Sequence, residues 1–94
     1  MTEIFRVNTE GALLVGEQTG AGRPVVFLHA GVADKRMWYP QLAELGSDHR
    51  LLAYDRRGFG ETTSVDGPFS HVEDLRAVLD QCGLEAASLV GCSQ

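Results

Sequence analysis

The sequence predicts an α/β fold in which an N-terminal hairpin leads into a mostly parallel sheet with crossover helices. Three observations carry this. Val25–Leu28, Leu51–Tyr54 and Ala87–Val90 are short apolar runs without alternation, the pattern of strands covered on both faces. Segments with helical spacing separate them, and a strand–helix–strand alternation implies a right-handed, doubly wound sheet. Ahead of them, Glu3–Val7 alternates polar and apolar residues, and Ala12–Gly16 follows a Gly-containing turn, which reads as a hairpin.

Taken in order, the stretch from Thr19 to Pro24 is a loop by composition and opens onto the Val25–Leu28 strand. His29 to Arg36 is a small-residue loop. A helix is expected from about Met37 or Tyr39 to Leu45, with Leu42 and Leu45 on one face, Pro40 in its first turn and Gly46 as its cap. Leu51–Tyr54 is the next strand, and Asp55 to Gly67 is a loop rich in Gly, Thr and Ser. Ser70-x-x-Glu73 is a capping box, after which Val72, Leu75, Val78, Leu79 and Cys82 fall along one helical face and Gly83 stops the helix. The last apolar run is expected to be a buried strand.

Composition narrows the function. With 94 residues, 44% of them hydrophobic and 22% charged, the chain has ordinary globular chemistry and room for one domain at most. A net charge of −5 argues against nucleic acid or an anionic membrane as partner, since both require clustered positive charge. Cys82 and Cys92 form no disulfide framework and read as small buried hydrophobes in a reducing compartment. No basic-then-apolar leader opens the chain, and no run approaches the ~18 apolar residues needed to span a bilayer, so a cytoplasmic location is expected. His29, His49 and His71 lack metal-ligand spacing, and no metal or cofactor is expected.

Chemistry concentrates at strand ends. Gly91-Cys92-Ser93-Gln94 follows the last apolar run, and Gly-x-Ser after a strand begins a nucleophile elbow, a sharp turn that holds a serine hydroxyl clear of its neighbours. Such a serine still requires a base, usually a histidine oriented by a carboxylate. His29-Ala30-Gly31-Val32 leaves the first parallel strand at the end where open sheets bind ligands. Its turn can aim the Gly31 N–H inward, where with the Gln94 N–H it would form a two-donor oxyanion hole. The His29 side chain itself reads as a packed loop histidine. Asp55-Arg56-Arg57-Gly58-Phe59-Gly60 lacks the third glycine of a dinucleotide loop, so it reads as a turn pinned by Asp55 and an arginine.

As a set, the segments from Val25 to Gly31, from Tyr54 to Gly60 and from Leu89 to Gln94 resemble the α/β-hydrolase superfamily. Trp38 falls where these enzymes often carry a tryptophan. Ala30 departs from the usual glycine. The resemblance implies that residues 1–94 are the N-terminal portion of a single hydrolase domain, ending at the elbow. It also implies that the catalytic acid and histidine follow the elbow, and that the sheet is wider than these strands can make, so the last strand keeps an unpaired edge. A truncated piece is therefore expected rather than a complete protein.

The resemblance further implies an aspartate at the elbow of relatives that open epoxides or cleave carbon–halogen bonds, so Ser93 points to acyl transfer. A carboxylic-ester hydrolase acting on a small-molecule acyl substrate is the expectation, inactive without the C-terminal remainder. A thioesterase, a carbon–carbon-bond hydrolase or a non-catalytic binding module of the same fold are the alternatives. Val32 and Trp38 could line one wall of the substrate site, or equally belong to the core.

Overall fold

A computed structural model describes residues 2–9, 11–31, 33–46, 48–65, 67 and 69–91. Strands β1 (Glu3–Thr9) and β2 (Ala12–Thr19) form the expected hairpin, pairing antiparallel from Glu3↔Gln18 to Thr9↔Ala12. Gly11 makes the reversal possible, because its φ of 78° is a conformation that side chains resist. Strands β3 (Arg23–Leu28) and β4 (His49–Tyr54) follow, then a two-residue strand β5 (Thr63–Ser64) and finally β6 (Ser88–Gly91). One sheet results, ordered β1-β2-β4-β3-β6, with β5 attached to β2. β3 pairs parallel with both β4 and β6, while β2 pairs antiparallel with β4, so a hairpin and a parallel layer are welded into one mixed sheet.

The non-alternating strands are covered on both faces, as their composition predicts. Val26, Leu52 and Tyr54 pack with Phe5, Val7 and Leu14 beneath Val78 of helix α2 (His71–Gln81). Phe27, Leu51 and Ala53 point the other way, against Trp38 and Leu42. Trp38 closes a 3₁₀ turn (Lys35–Trp38) that runs directly into helix α1 (Tyr39–Glu44). Strand pleating alone distributes these neighbours between two cores.

Helix α2 has the expected ends. Ser70 Oγ accepts the Glu73 N–H at 3.3 Å, and Glu73 and Asp74 place negative charge in the first turn, where the helix dipole favours it. At the other end Gly83, φ 72°, sits outside the helix while Gly83 N–H donates to Asp80 C=O and Leu84 N–H to Leu79 C=O at 2.8 Å. These two bonds are the Schellman arrangement, which satisfies carbonyls the helix itself leaves open.

Five local expectations are corrected. Pro24 lies inside β3, opposite Arg50, near the start of the strand, where its missing N–H costs least. Helix α1 ends at Glu44, so Leu45 is half exposed rather than beside the buried Leu42. Gly46 is no left-handed cap, since the last turn closes by Leu45 N–H to Gln41 C=O and Gly46 has no positive φ. Val72 is 67% exposed because the register of α2 turns Val78 and Asp74 to the sheet instead. Strand β6 is exposed along its length rather than buried, for it pairs with β3 alone among the described residues and nothing described packs over it. That last finding carries the expected unpaired edge with it.

Candidate active site

Register brings three strand exits together. Leu28 is opposite Tyr54 on one side and Gly91 on the other, so the carboxyl ends of three neighbouring parallel strands lie side by side. Ligands bind at this end of open α/β sheets. Val32, Ser93 and Gln94 lie outside the described residues, as does Cys92. The described part of the elbow is Gly91, where an added Cβ would meet nothing within 4 Å among the described residues.

The turn after β3 is built to leave a donor unspent. Ala33 N–H donates to Ala30 C=O at 3.1 Å, closing a four-residue turn with Gly31 in its second position. In such a turn the closing bond uses the fourth N–H and leaves the second without an internal acceptor. No described residue accepts from Gly31 N–H. Ala30 is buried, its N–H against Met37 Sδ at 3.3 Å, so a methyl group in place of the resemblance's glycine is accommodated.

His29 holds this turn from below. Its Nε2 accepts the Arg56 N–H at 2.9 Å, which leaves Nδ1 as the protonated nitrogen, 2.7 Å from Ala30 C=O. Both ring nitrogens are occupied by backbone, and the ring meets Phe59 edge-on with centroids 5.0 Å apart. The packed-loop reading of His29 is what the geometry supports.

Asp55 is the hub of the neighbouring loop. Its Oδ1 accepts Lys35 N–H at 2.7 Å and its Oδ2 accepts Glu61 N–H at 2.8 Å. Its own backbone continues the β2–β4 ladder through Thr62, whose hydroxyl donates to Asp55 C=O at 2.6 Å and accepts Val15 N–H at 2.9 Å. The pinning arginine is Arg57, which makes a two-pronged contact with Asp74 of α2, Nε to Oδ2 at 3.1 Å and Nη2 to Oδ1 at 2.9 Å. Both side chains are at most 5% exposed. Gly60, φ 53°, closes the loop where an added Cβ would fall 2.3 Å from the Asp55 carboxyl, so only glycine lets the backbone approach.

Sequence reasoning missed Lys35. Flanked by Asp34 and Arg36 in a small-residue loop, it looks solvated, yet its side chain is 3% exposed. Its ammonium lies 2.6 Å from Glu61, 3.3 Å from Asp55 and 3.7 Å from Glu17. Burial works against its charge, but the Glu61 hydrogen bond and the Asp55 field outweigh it and raise the ammonium above the ordinary lysine range. The same contact lowers Glu61. Tyr39 donates its hydroxyl to Glu17, which raises the phenol. Nearby, Arg36 clamps Asp34 and holds its carboxyl down at about 2. No pattern in the sequence marks this cluster, because its members are far apart along the chain.

A cleft of about 480 Å³ opens at the strand ends, lined by Leu28, His29, Tyr54, Arg56, His71 and Gly91 among others. Tyr54 is held neutral there, its phenol pushed up to about 12 by burial and then by the Asp74 charge. Partial burial and then the Arg56 guanidinium lower His71. Trp38 is elsewhere, 8% exposed and stacked on Phe27 at 4.8 Å in the α1-side core. A larger hollow, about 630 Å³ beside Tyr39 and Leu42, also belongs to the α1 side and contains none of the candidate residues. Among the described residues no helix is long and apolar enough to cross a membrane, and no cluster suits a metal ion.

A mixed sheet whose parallel strands β4, β3 and β6 end side by side, with helices on both faces, is the architecture of an α/β fold. The sequence matches the family described as "Alpha/beta hydrolase family" over residues 25–94. The chain belongs to that family, as its N-terminal part. It is 36% identical over 91 residues to "Epoxide hydrolase 2" of Siraitia grosvenorii, covering 90% of this chain and 29% of that protein. With "3-oxoadipate enol-lactonase 1" of Acinetobacter baylyi it shares 34% over 100 residues, 99% of this chain and 38% of that protein. The crystal structure of an epoxide hydrolase from Vigna radiata superposes with a TM-score of 0.86 at 29% identity, over 98% of this chain and 32% of that one. The chain thus spans about a third of the length of these relatives. Epoxide hydrolases and a lactonase are among the proteins it is similar to, and so is a "Putative non-heme chloroperoxidase" of Synechocystis sp., 32% identical over 82% of this chain and 29% of that protein.

Proposed function

We propose that these residues are the N-terminal part of a serine hydrolase that cleaves an ester or related acyl bond of a small molecule through an acyl-enzyme. Ser93 attacks the acyl carbon, and its proton passes to a histidine supplied, with its acid, by the C-terminal remainder of the domain. The N–H groups of Gly31 and Gln94 hold the oxyanion of the tetrahedral intermediate, worth ~3 kcal/mol for each donor. Collapse expels the alcohol, which takes that proton from the histidine, and water then hydrolyses the acyl-enzyme. Residues 1–94 alone lack the base and are inactive.

One observation carries the reading: the Ala30–Ala33 turn leaves Gly31 N–H without an acceptor among the described residues, next to the strand end at Gly91 that precedes Ser93 in the sequence. Serine, rather than the aspartate the resemblance implies for epoxide-opening relatives, separates this chain from the epoxide hydrolases it is similar to. The enol-lactonase relative, named for a cyclic ester, agrees with acyl chemistry. The test is covalent labelling of the full-length protein with a fluorophosphonate. Labelling of the native protein that disappears in Ser93→Ala supports the assignment, and labelling that persists in Ser93→Ala refutes it. A full-length native protein that takes up no label would instead favour a non-catalytic binding module.

A further inference from the structure

Lys35 lies four residues past Gly31, and the chain is anchored on either side of Gly31, at His29 and at Lys35, to consecutive residues of the β4 exit. At one end His29 Nε2 accepts the Arg56 N–H at 2.9 Å, and at the other Lys35 N–H donates to Asp55 Oδ1 at 2.7 Å. The second anchor is only as fixed as the Asp55 carboxylate. That carboxylate is 1% exposed and meets, besides two backbone donors, one cation, the Lys35 ammonium at 3.3 Å. The same ammonium reaches Glu61 from the β4–β5 loop and Glu17 Oε2 from β2, the oxygen that also accepts the Tyr39 hydroxyl of α1. Lys35 therefore ties the turn to the hairpin and to the β4 exit at once.

We infer that Lys35 is a positioning residue for the oxyanion turn, its ammonium gathering Asp55, Glu61 and Glu17 so that the Lys35 and Gly31 backbone N–H groups stay in place. The inference rests on the acyl-transfer reading above. Without the ammonium, three carboxylates converge on an apolar stem with no cation between them. Mutual repulsion then moves Asp55, and Asp55 carries the turn with it. Misplacing a catalytic group by a fraction of an ångström lowers turnover without weakening ground-state binding.

The test uses full-length protein with a p-nitrophenyl ester as substrate and phenylboronic acid as a mimic of the tetrahedral intermediate. For Lys35→Met, kcat is expected to fall about tenfold with KM unchanged, and affinity for the boronic acid to fall by a similar factor. Lys35→Arg, which keeps the charge, is expected to restore kcat to within about threefold of the native value. Unchanged kcat and boronic acid affinity in Lys35→Met overturn the inference, even if the variant melts earlier, because a purely structural role predicts that combination. Should Lys35→Met not fold, Glu61→Gln weakens the same ammonium from a side chain that is 69% exposed. A lower kcat at constant KM in that variant supports the inference and an unchanged kcat overturns it. Native protein that neither turns over the ester nor takes up fluorophosphonate overturns the acyl-transfer reading itself, and the positioning role with it.

Discussion

Truncating Asp74 to alanine takes a two-pronged carboxylate contact from the buried Arg57 guanidinium under helix α2. The two side chains are 5% and 3% exposed and share two charge-assisted hydrogen bonds, at 3.1 and 2.9 Å. Solvent therefore screens the pair little, and breaking it removes a full negative charge from beside a buried cation. Loss of one partner of such a pair costs about 3–5 kcal/mol. The Phe69 ring, 4.7 Å from the guanidinium, replaces only a fraction of a carboxylate's field. In the full-length protein this corresponds to a melting temperature lower by roughly 10 °C. A double-mutant cycle separates the lost attraction from the cost of burying the remaining charge. Asp74→Leu with Arg57→Met fills the space with apolar atoms, and the double variant is expected to be more stable than Asp74→Ala alone, approaching the native protein. Denaturant unfolding of all variants gives the numbers. A loss below about 1 kcal/mol for Asp74→Ala, or simple additivity across the cycle, would refute the claim that this pair fastens the β4 loop to α2.

Two further outcomes follow from the same loop and strand. Gly60→Ala should be far costlier than Gly58→Ala, although both glycines have positive φ, because a Cβ at Gly60 lands 2.3 Å from the Asp55 carboxyl while one at Gly58 meets nothing within 4 Å among the described residues. Thermal melting should put Gly58→Ala near the bare ~1–2 kcal/mol backbone cost and Gly60→Ala well beyond it; equal losses would show that Asp55 does not fill that space. Tyr54 and Lys35 both make the protein alkali-sensitive. Tyr54 keeps its proton to about pH 12 when folded but releases it near 10 when unfolded, so its contribution is present below pH 10 and lost as pH rises to 12. The raised Lys35 acts with the same sign, its stabilisation present below the unfolded lysine value and lost as pH rises through the folded one. Tyr54→Phe should flatten the fall in stability between about pH 10 and 12 by roughly one proton's worth, ~3 kcal/mol over that span, read by urea unfolding at each pH. An unchanged slope would show that Tyr54 ionises as readily folded as unfolded.

How much was legible depends on the range of the forces. Capping at Ser70, the Gly83 stop, the Gly11 reversal and the apolar strands are local matters of backbone geometry and periodicity, and they could be read from a few adjacent residues. Mistakes arose where a neighbour decided: Val72 fits a helical stripe, yet the register of α2 exposes it, and β6 has a buried strand's composition but no described cover. Lys35 is the clearest case. Its partners lie 20 and 26 residues away at Asp55 and Glu61, and nothing about a lysine between Asp34 and Arg36 announces them. The Arg57–Asp74 bond, 17 residues apart, was readable only as an arginine that must pin something.

By itself the sequence determined the family, the order of strands and helices along the chain, and a serine following the last strand. Those properties reside in short segments whose chemistry is set by composition and spacing. Only the tertiary structure decided that β3 lies between β4 and β6, which brings the carboxyl ends of the three strands side by side. It also decided that His29 is spent on backbone and that a lysine is drawn into a nest of carboxylates. Burial and ion pairing between distant residues depend on how the sheet closes, and the energy of a charge depends on which neighbours that closure supplies.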